Sequence, residues 1–398
     1  MRWMAFGVMM AACLELAAAE PPLVEKYLHS GELARGEQVL EAALEASPGD
    51  DQLRFSLGVL QLFLGVERLG QALYEYGVKP ENNNTPFLRI PVPKNPEPSP
   101  IAYADLRRFL SVFQNDLATA ETTLAGVTDD HVALTLRLMD IRFDLSGSGD
   151  ATERLSDVLK KLMGPNFRPP PGNAEFQVRF DRGDVAWLRA YCHLLMAMID
   201  AQLAVDLEAQ FNLHADELFA RPKHPFQGTP QEKRDKQHEF WSVLHIREPA
   251  RLRHFREHLL KVCELNRETW RYIRAERDDE LEWLPNPKQK GVLGLPVRDE
   301  MIDVWLAMVE ELEGLLNGRK VIPASVVQFL YSPTKKGLSV RALLDDPPDQ
   351  IAWDELRETG IREKYLDDTG QDVNVVSFIR VLNVFQNTLG VAYAVWFN

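Results

Sequence analysis

The chain has 398 residues, 45% of them hydrophobic and 26% charged, a balance that excludes wholesale disorder and suits two globular domains or three. Its formal net charge is −14 with no offsetting basic face, so phosphate backbones are repelled and nucleic-acid binding is excluded. The chain opens with Arg2, an apolar run from Trp3 to Leu14, and the small residues Ala17-Ala18-Ala19 before Glu20. That order is the pattern of a signal peptide over 1–19, cleaved between Ala19 and Glu20, and it predicts an exported protein of the periplasm or cell envelope. Met10-Ala11-Ala12-Cys13 offers an alternative, a lipobox-like string that would anchor a lipoprotein through Cys13.

Beyond Glu20, the pairs Leu23 and Leu57, Gly31 and Gly65, Gly36 and Gly70, Leu40 and Tyr74, and Ala43 and Gly77 each stand 34 residues apart. Small residues recur where two helices would approach closely, large ones recur four positions later, and Pro48-Gly49-Asp50 separates the units. Over residues 20–84 this resembles two tetratricopeptide repeats. Glu20 and Arg54 stand where that family carries its leading tryptophan, Val24 where a small residue is usual, and Gln61 where an aromatic is usual. The resemblance implies tandem α-hairpins and a concave surface that recognises a peptide or protein partner.

Seven prolines between Pro80 and Pro100 forbid helix and predict an extended insertion, with Phe87-Leu88-Arg89-Ile90 packing on a neighbouring surface. Helical periodicity resumes at Ala102–Leu124, where Leu106, Phe109, Leu110, Phe113, Leu117, Ala120 and Leu124 form one stripe. Further helices are expected at His131–Leu145 and Thr152–Met163, completing a repeat domain over 20–163. The proline-rich run Gly164–Gly172 is the candidate boundary to a helical C-terminal domain over 174–398. There the sequence predicts a short strand at 176–180, a long helix from a Gly183-Asp184 cap to Phe219, and a loop over 220–235. Helices follow at Pro249–Glu276 and Glu300–Leu316. Between Arg247 and Arg277, basic residues alternate with Glu248, Glu257, Glu264, Glu268 and Glu276, as on a solvated helix laced by i,i+4 ion pairs. Short helices and turns lead to a buried helix over Val375–Phe397, whose Arg380, Asn383, Gln386 and Asn387 argue against a membrane span. The fold class expected is therefore mainly all-α.

Two constellations could carry chemistry. His254-Phe255-Arg256-Glu257-His258 fits H-x-x-E-H and resembles the inverted zinc motif of pitrilysin-type metallopeptidases, in which the two imidazoles would grip zinc and Glu257 would activate water. The downstream carboxylate ligand of that family has no counterpart over Val321–Ser339, and Arg251, Arg253 and Arg256 oppose a cation. The expectation is a solvated helix with no metal. The second is Asp184, His193 and Asp200 on the long helix, with His214, Asp216 and Glu217 near its end; the spacing favours separate, satisfied polar groups. Cys192 and Cys263, the cysteines left after signal removal, either form a disulfide or stay as two buried thiols. Trp187 and Trp305 lie on apolar helix faces and read as core, and Asp345-Asp346-Pro347-Pro348-Asp349 as a turn. The sequence therefore favours a protein-interaction or scaffolding role without a cofactor. A hydrolase using His and carboxylate groups of the C-terminal domain is the alternative, and the oligomeric state is left open.

Overall fold

The computed structural model describes residues 21–82, 86–163, 176–330, 334–385 and 396–397. The signal segment with Cys13, Ala19 and Glu20, and the boundary run at 164–172, lie outside the described residues. The protein is mainly α-helical, with fourteen helices among the described residues and a few short strands. None of these helices is long and apolar enough to cross a membrane.

The first helices are α1 (Leu23–Ser30) and α2 (Leu33–Ala46), joined where Gly31 turns the chain with φ +75° and donates its N–H to the Tyr27 carbonyl. A Cβ at Gly36 would stand 2.6 Å from Tyr27 Cβ and 2.7 Å from Leu60 Cδ1, so this glycine lets α2 press on both neighbours. The 34-residue register predicts a second hairpin next. Instead, Asp51–Glu75 is one unbroken helix, α3, started by Asp50, whose side chain accepts from the Leu53 N–H. Gly65 and Gly70 lie inside it and serve close approach rather than reversal. A Cβ at Gly65 would stand 3.0 Å from Asp116 Cβ, and one at Gly70 2.5 Å from Leu145 Cδ2.

The reversal comes later, at α4 (Tyr103–Ala125). Asp51, at the start of α3, accepts from the Thr128 and Asp129 N–H groups just beyond the end of α4, so the two helices run antiparallel. The proline-rich connection folds back on them. Phe87 and Leu88 are buried in the same apolar cluster as Phe109 and Phe113, and Ser99 N–H bonds the Glu75 carbonyl.

The helix expected at His131–Leu145 is a correction. Leu134–Leu136 forms an antiparallel strand with Val178–Phe180, Leu138–Asp140 is one helical turn, and Arg142–Phe143 pairs with Glu153–Arg154. The reason is visible in the burial: Val132, Leu134, Leu136 and Leu138 are buried while Ala133, Thr135 and Arg137 between them are not, the period-two pattern of a strand. Helix α5 covers Leu155–Met163.

The long helix expected to reach Phe219 is two. Helix α6 (Arg182–Ala204) begins with a capping box between Asp181 and Asp184. It stops where the Ala204 carbonyl accepts from the Arg247 and Glu248 N–H groups, and α7 (Glu208–Leu218) restarts after Asp206. The expected loop at 220–235 holds the first turns of α8 (Pro230–Ser242), opened by a Thr229–Glu232 capping box. Helix α9 (Pro249–Ala275) and helix α10 (Asp299–Leu316) fall where expected. The remaining helices are α11 (Ala324–Leu330), α12 (Val340–Asp345), α13 (Trp353–Thr359) and α14 (Val375–Val384). Helix α14 is not the buried element expected: Val381 is buried, but Val375, Val376, Ile379 and Leu382 are exposed. Residues 386–395 lie outside the described residues.

Helices α3, α4, α6, α9 and α10 stand in a row, each antiparallel to the last. Trp305 Nε1 donates to Asn266 Oδ1 between α10 and α9, and Arg267 pairs with Glu313. One apolar cluster takes Leu69, Phe109 and Phe113 from one side of the 164–172 run and Cys192, Met196, Ile199 and Phe211 from the other. The helices on either side of the proposed boundary therefore share a core. Cys192 lies in that cluster and Cys263 in another built around α9 and α10; both are free, buried thiols, pushed up to about 12 by burial, and no disulfide joins them.

Candidate functional site

A ladder of polar residues runs through the contacts of α6 with its two neighbours. Toward α4, Arg189 donates through Nε and Nη2 to Glu121 at 3.0 and 2.9 Å, Gln114 reaches the Met196 carbonyl at 3.4 Å, and Arg107 reaches the Leu203 carbonyl at 2.9 Å. Both sets of partners are spaced seven residues apart. Toward α9, His193 and His258 meet through their Nδ1 atoms at 2.8 Å, and seven residues on Arg251 donates to Asp200 at 2.8 Å. His193 Nε2 lies 3.4 Å from Glu121, and His258 Nε2 lies 3.6 Å from Asp200. The ladder closes through Glu248, which takes Arg251 at 2.6 Å and also meets Arg107.

One imidazole must donate across the Nδ1–Nδ1 contact and the other must accept, because two N–H groups would face each other if both were charged. His258 is the ring held below its usual pKa, first by burial and then by His193. Burial alone would raise Glu121, but the nearby His193 and Arg189 hold it at about 2. Glu121 and Asp200 thus bracket a histidine pair that carries at most one positive charge in its resting geometry. The sequence separated His193 from Asp200 by two helical turns; His258, supplied by α9, is what joins them.

The H-x-x-E-H string does not act as a unit. His258 turns inward to His193, whereas His254 and Glu257 on the same helix are exposed. Asp184 is far along α6 in a different cluster, and His214 pairs with Glu217 at 2.9 Å on the surface, where Lys233 also binds Glu217.

That other cluster gathers acids that sequence gave no reason to group. Asp181, Glu276 and Glu282, from the start of α6, the end of α9 and the loop beyond it, bring carboxylate oxygens within 4.8 Å of one another, the described group whose geometry could hold a metal ion. An all-oxygen donor set fits a hard cation. Burial, then the charge of Asp181, raises Glu276 to about 9; burial chiefly raises Glu282 to about 7. Protons therefore hold this cluster together near neutrality. Asp184 beside it is raised well above the carboxylate range by burial and by Asp181.

A groove of about 890 Å³ opens between α7, α8 and the strand Val243–His245, which pairs antiparallel with Gln350–Ala352. Phe226 and Phe240 supply apolar wall, and the amides of Gln210, Asn212, Gln227 and Gln350 supply polar wall. Gln210 Oε1 is buried and has no hydrogen-bond partner. The sequence gave no sign of this groove, because its walls come from segments that read separately as helix end, loop and turn. Compared with protein families, with curated proteins and with solved structures, the chain matches none of them.

Proposed function

We propose that this is an exported binding protein of the periplasm or cell envelope that holds an extended peptide segment of a partner protein in the groove beside α7 and α8. The observation that carries this reading is a groove of about 890 Å³ whose wall mixes the amide side chains of Gln210, Asn212, Gln227 and Gln350 with Phe226 and Phe240. A peptide backbone offers N–H and C=O groups to side-chain amides, and its side chains can fill aromatic pockets. The leader-like residues 1–19 support export. The hydrolase reading is weaker, because His193 and His258 meet Nδ1 to Nδ1 and their Nε2 atoms face Glu121 and Asp200 within the helix contacts.

The test is selection of a random dodecapeptide display library on the full mature chain, followed by titration of the recovered peptides. Peptides that bind at micromolar strength should weaken about tenfold with Phe240→Ala and with Gln210→Ala, about the loss of one good contact each. Recovered peptides that bind both variants as well as the parent, or a library that yields none, would remove the proposal.

A further inference from the structure

The charges around the groove beside α7 and α8 depart from those of the chain as a whole. The sequence carries 59 acidic against 45 basic residues. The groove, however, is lined by Lys236, His224 and His245 and by one carboxylate, Glu239, all four of them exposed.

Three cations close by in sequence are already matched. Lys223 pairs with Asp105 at 3.3 Å, Lys233 with Glu217 at 2.6 Å, and Arg247 with Asp206 and Glu208, each at 3.6 Å. Among the described residues, Lys236 has no ion-pair partner. Glu239, one turn further along α8, does not reach it. Glu232, one turn back, accepts instead from the Thr229 N–H at 2.6 Å and hydroxyl at 3.0 Å. His224 and His245 likewise have no side-chain partner among the described residues, and even an uncharged imidazole offers one ring N–H. In a chain rich in carboxylates, a groove wall left with unmatched donors is open to an acid from another molecule.

Helix geometry adds a spacing. Lys236 and Phe240 are four residues apart on α8, and both line the groove. Side chains so related stand about 5–6 Å apart on one face. Alternate side chains of an extended peptide point to one side and repeat every ~6.6 Å. A carboxylate at one peptide position and a large apolar side chain two positions away therefore meet Lys236 and Phe240 together. The helix has surface to give: none of its residues is buried, and Trp241, edge-on to Phe240 at 5.1 Å, is 50% exposed.

We propose that the groove selects acidic peptide segments, in which an Asp or Glu two residues from a large apolar residue pairs with Lys236 while the apolar side chain packs on Phe240. This selectivity rests on the groove holding an extended peptide.

Display selection on the full mature chain from two dodecapeptide libraries tests it. The libraries share their apolar and neutral residues; one adds Asp and Glu, the other Lys and Arg. The acidic library should yield binders with an acid two positions from a large apolar residue, and the basic library should yield none. Replacing that acid by its amide in a recovered peptide should weaken binding about threefold at low salt, and by less at about 0.5 M salt, where charges are screened. Lys236→Gln should remove the difference between acid and amide, and Glu239→Gln should tighten the acidic peptide. Both positions are exposed on α8, so neither variant endangers the fold. Basic binders of equal strength, acidic binders without that spacing, acid and amide peptides of equal affinity, or a difference that survives Lys236→Gln would overturn the selectivity and leave peptide binding standing. No binder from either library would remove peptide binding itself, and the selectivity with it.

Discussion

Removing the Asp200 carboxylate should cost far more than removing the more exposed Glu248 carboxylate that shares the same arginine. Asp200 is 1% exposed and takes Arg251 at 2.8 Å, with His258 at 3.6 Å on its other oxygen. Breaking a buried ion pair from one side costs about 3–5 kcal/mol, because the remaining charge is left in a poor medium. Here Arg251 keeps Glu248 at 2.6 Å and Gln114 at 3.0 Å, so Asp200→Ala belongs at the low end, about 3 kcal/mol. The Glu248 side chain is 41% exposed, and its loss should cost about 1 kcal/mol or less. Urea unfolding followed by far-ultraviolet circular dichroism at neutral pH measures both, read as midpoint shifts with the slope checked for constancy. The paired replacement Asp200→Leu with Arg251→Met should recover most of the loss, since neither charge is then stranded. The reasoning fails if Asp200→Ala falls within about 1 kcal/mol of the parent, or if Glu248→Ala costs as much.

Glu276, at about 9 against an ordinary 4.5, holds a proton in the folded state that the unfolded chain releases at much lower pH. Its stabilising contribution is complete below about pH 4.5 and is lost as pH rises toward 9, so Glu276→Gln should unfold at a higher temperature than the parent at pH 8 and flatten the alkaline decline of Tm. His258 has the opposite sign: its folded pKa lies below the usual 6.5, so stability present above pH 6.5 is lost on acidification as the unfolded imidazole takes up protons. His258→Gln should therefore lose less stability below pH 6.5 than the parent does in a parallel series of melts, and an identical slope would exclude the lowered pKa. Gly58→Ala would place a Cβ 2.5 Å from Leu124 Cγ between α3 and α4, and a loss of about 1–3 kcal/mol by calorimetry is expected. Gly49 has nothing within 4 Å of its added Cβ, so Gly49→Ala serves as the neutral control.

Long amphipathic segments were legible in the sequence. Residues 102–124, 249–276 and 300–316 carry stripes that one face of a helix must bury, and each is a helix with nearly the bounds read from it. The failures are cases where a local pattern meant something else. Gly65 and Gly70 matched Gly31 and Gly36 in spacing, yet only Gly31 turns the chain, and a glycine's type does not say whether it serves φ or proximity. The alternation from Val132 to Leu138 and the Thr229–Glu232 cap are local signals of a strand and of a helix start, set in neighbourhoods whose wider composition points to helix and to loop. The candidate sites were the least visible. Asp181, Glu276 and Glu282 converge from widely separated segments, and His193 finds its partner on another helix, so no window of sequence contains either group.

The polar ladder explains why charged residues sit between helices whose contacts are otherwise carbon. Apolar faces alone would let antiparallel helices slide by a turn at modest cost, since one leucine fits much like another. Glu121, Gln114 and Arg107 instead meet partners at Arg189, Met196 and Leu203 in constant register, and His193 and Asp200 do the same with His258 and Arg251. Seven residues is two helical turns, so every rung faces the same side of its helix. A slip of one turn in α6 would move Arg189 off Glu121 and Asp200 off Arg251 together, leaving several partly buried charges unpaired at once. The same histidines and carboxylates that suggest an acid–base site in sequence are thereby committed to alignment.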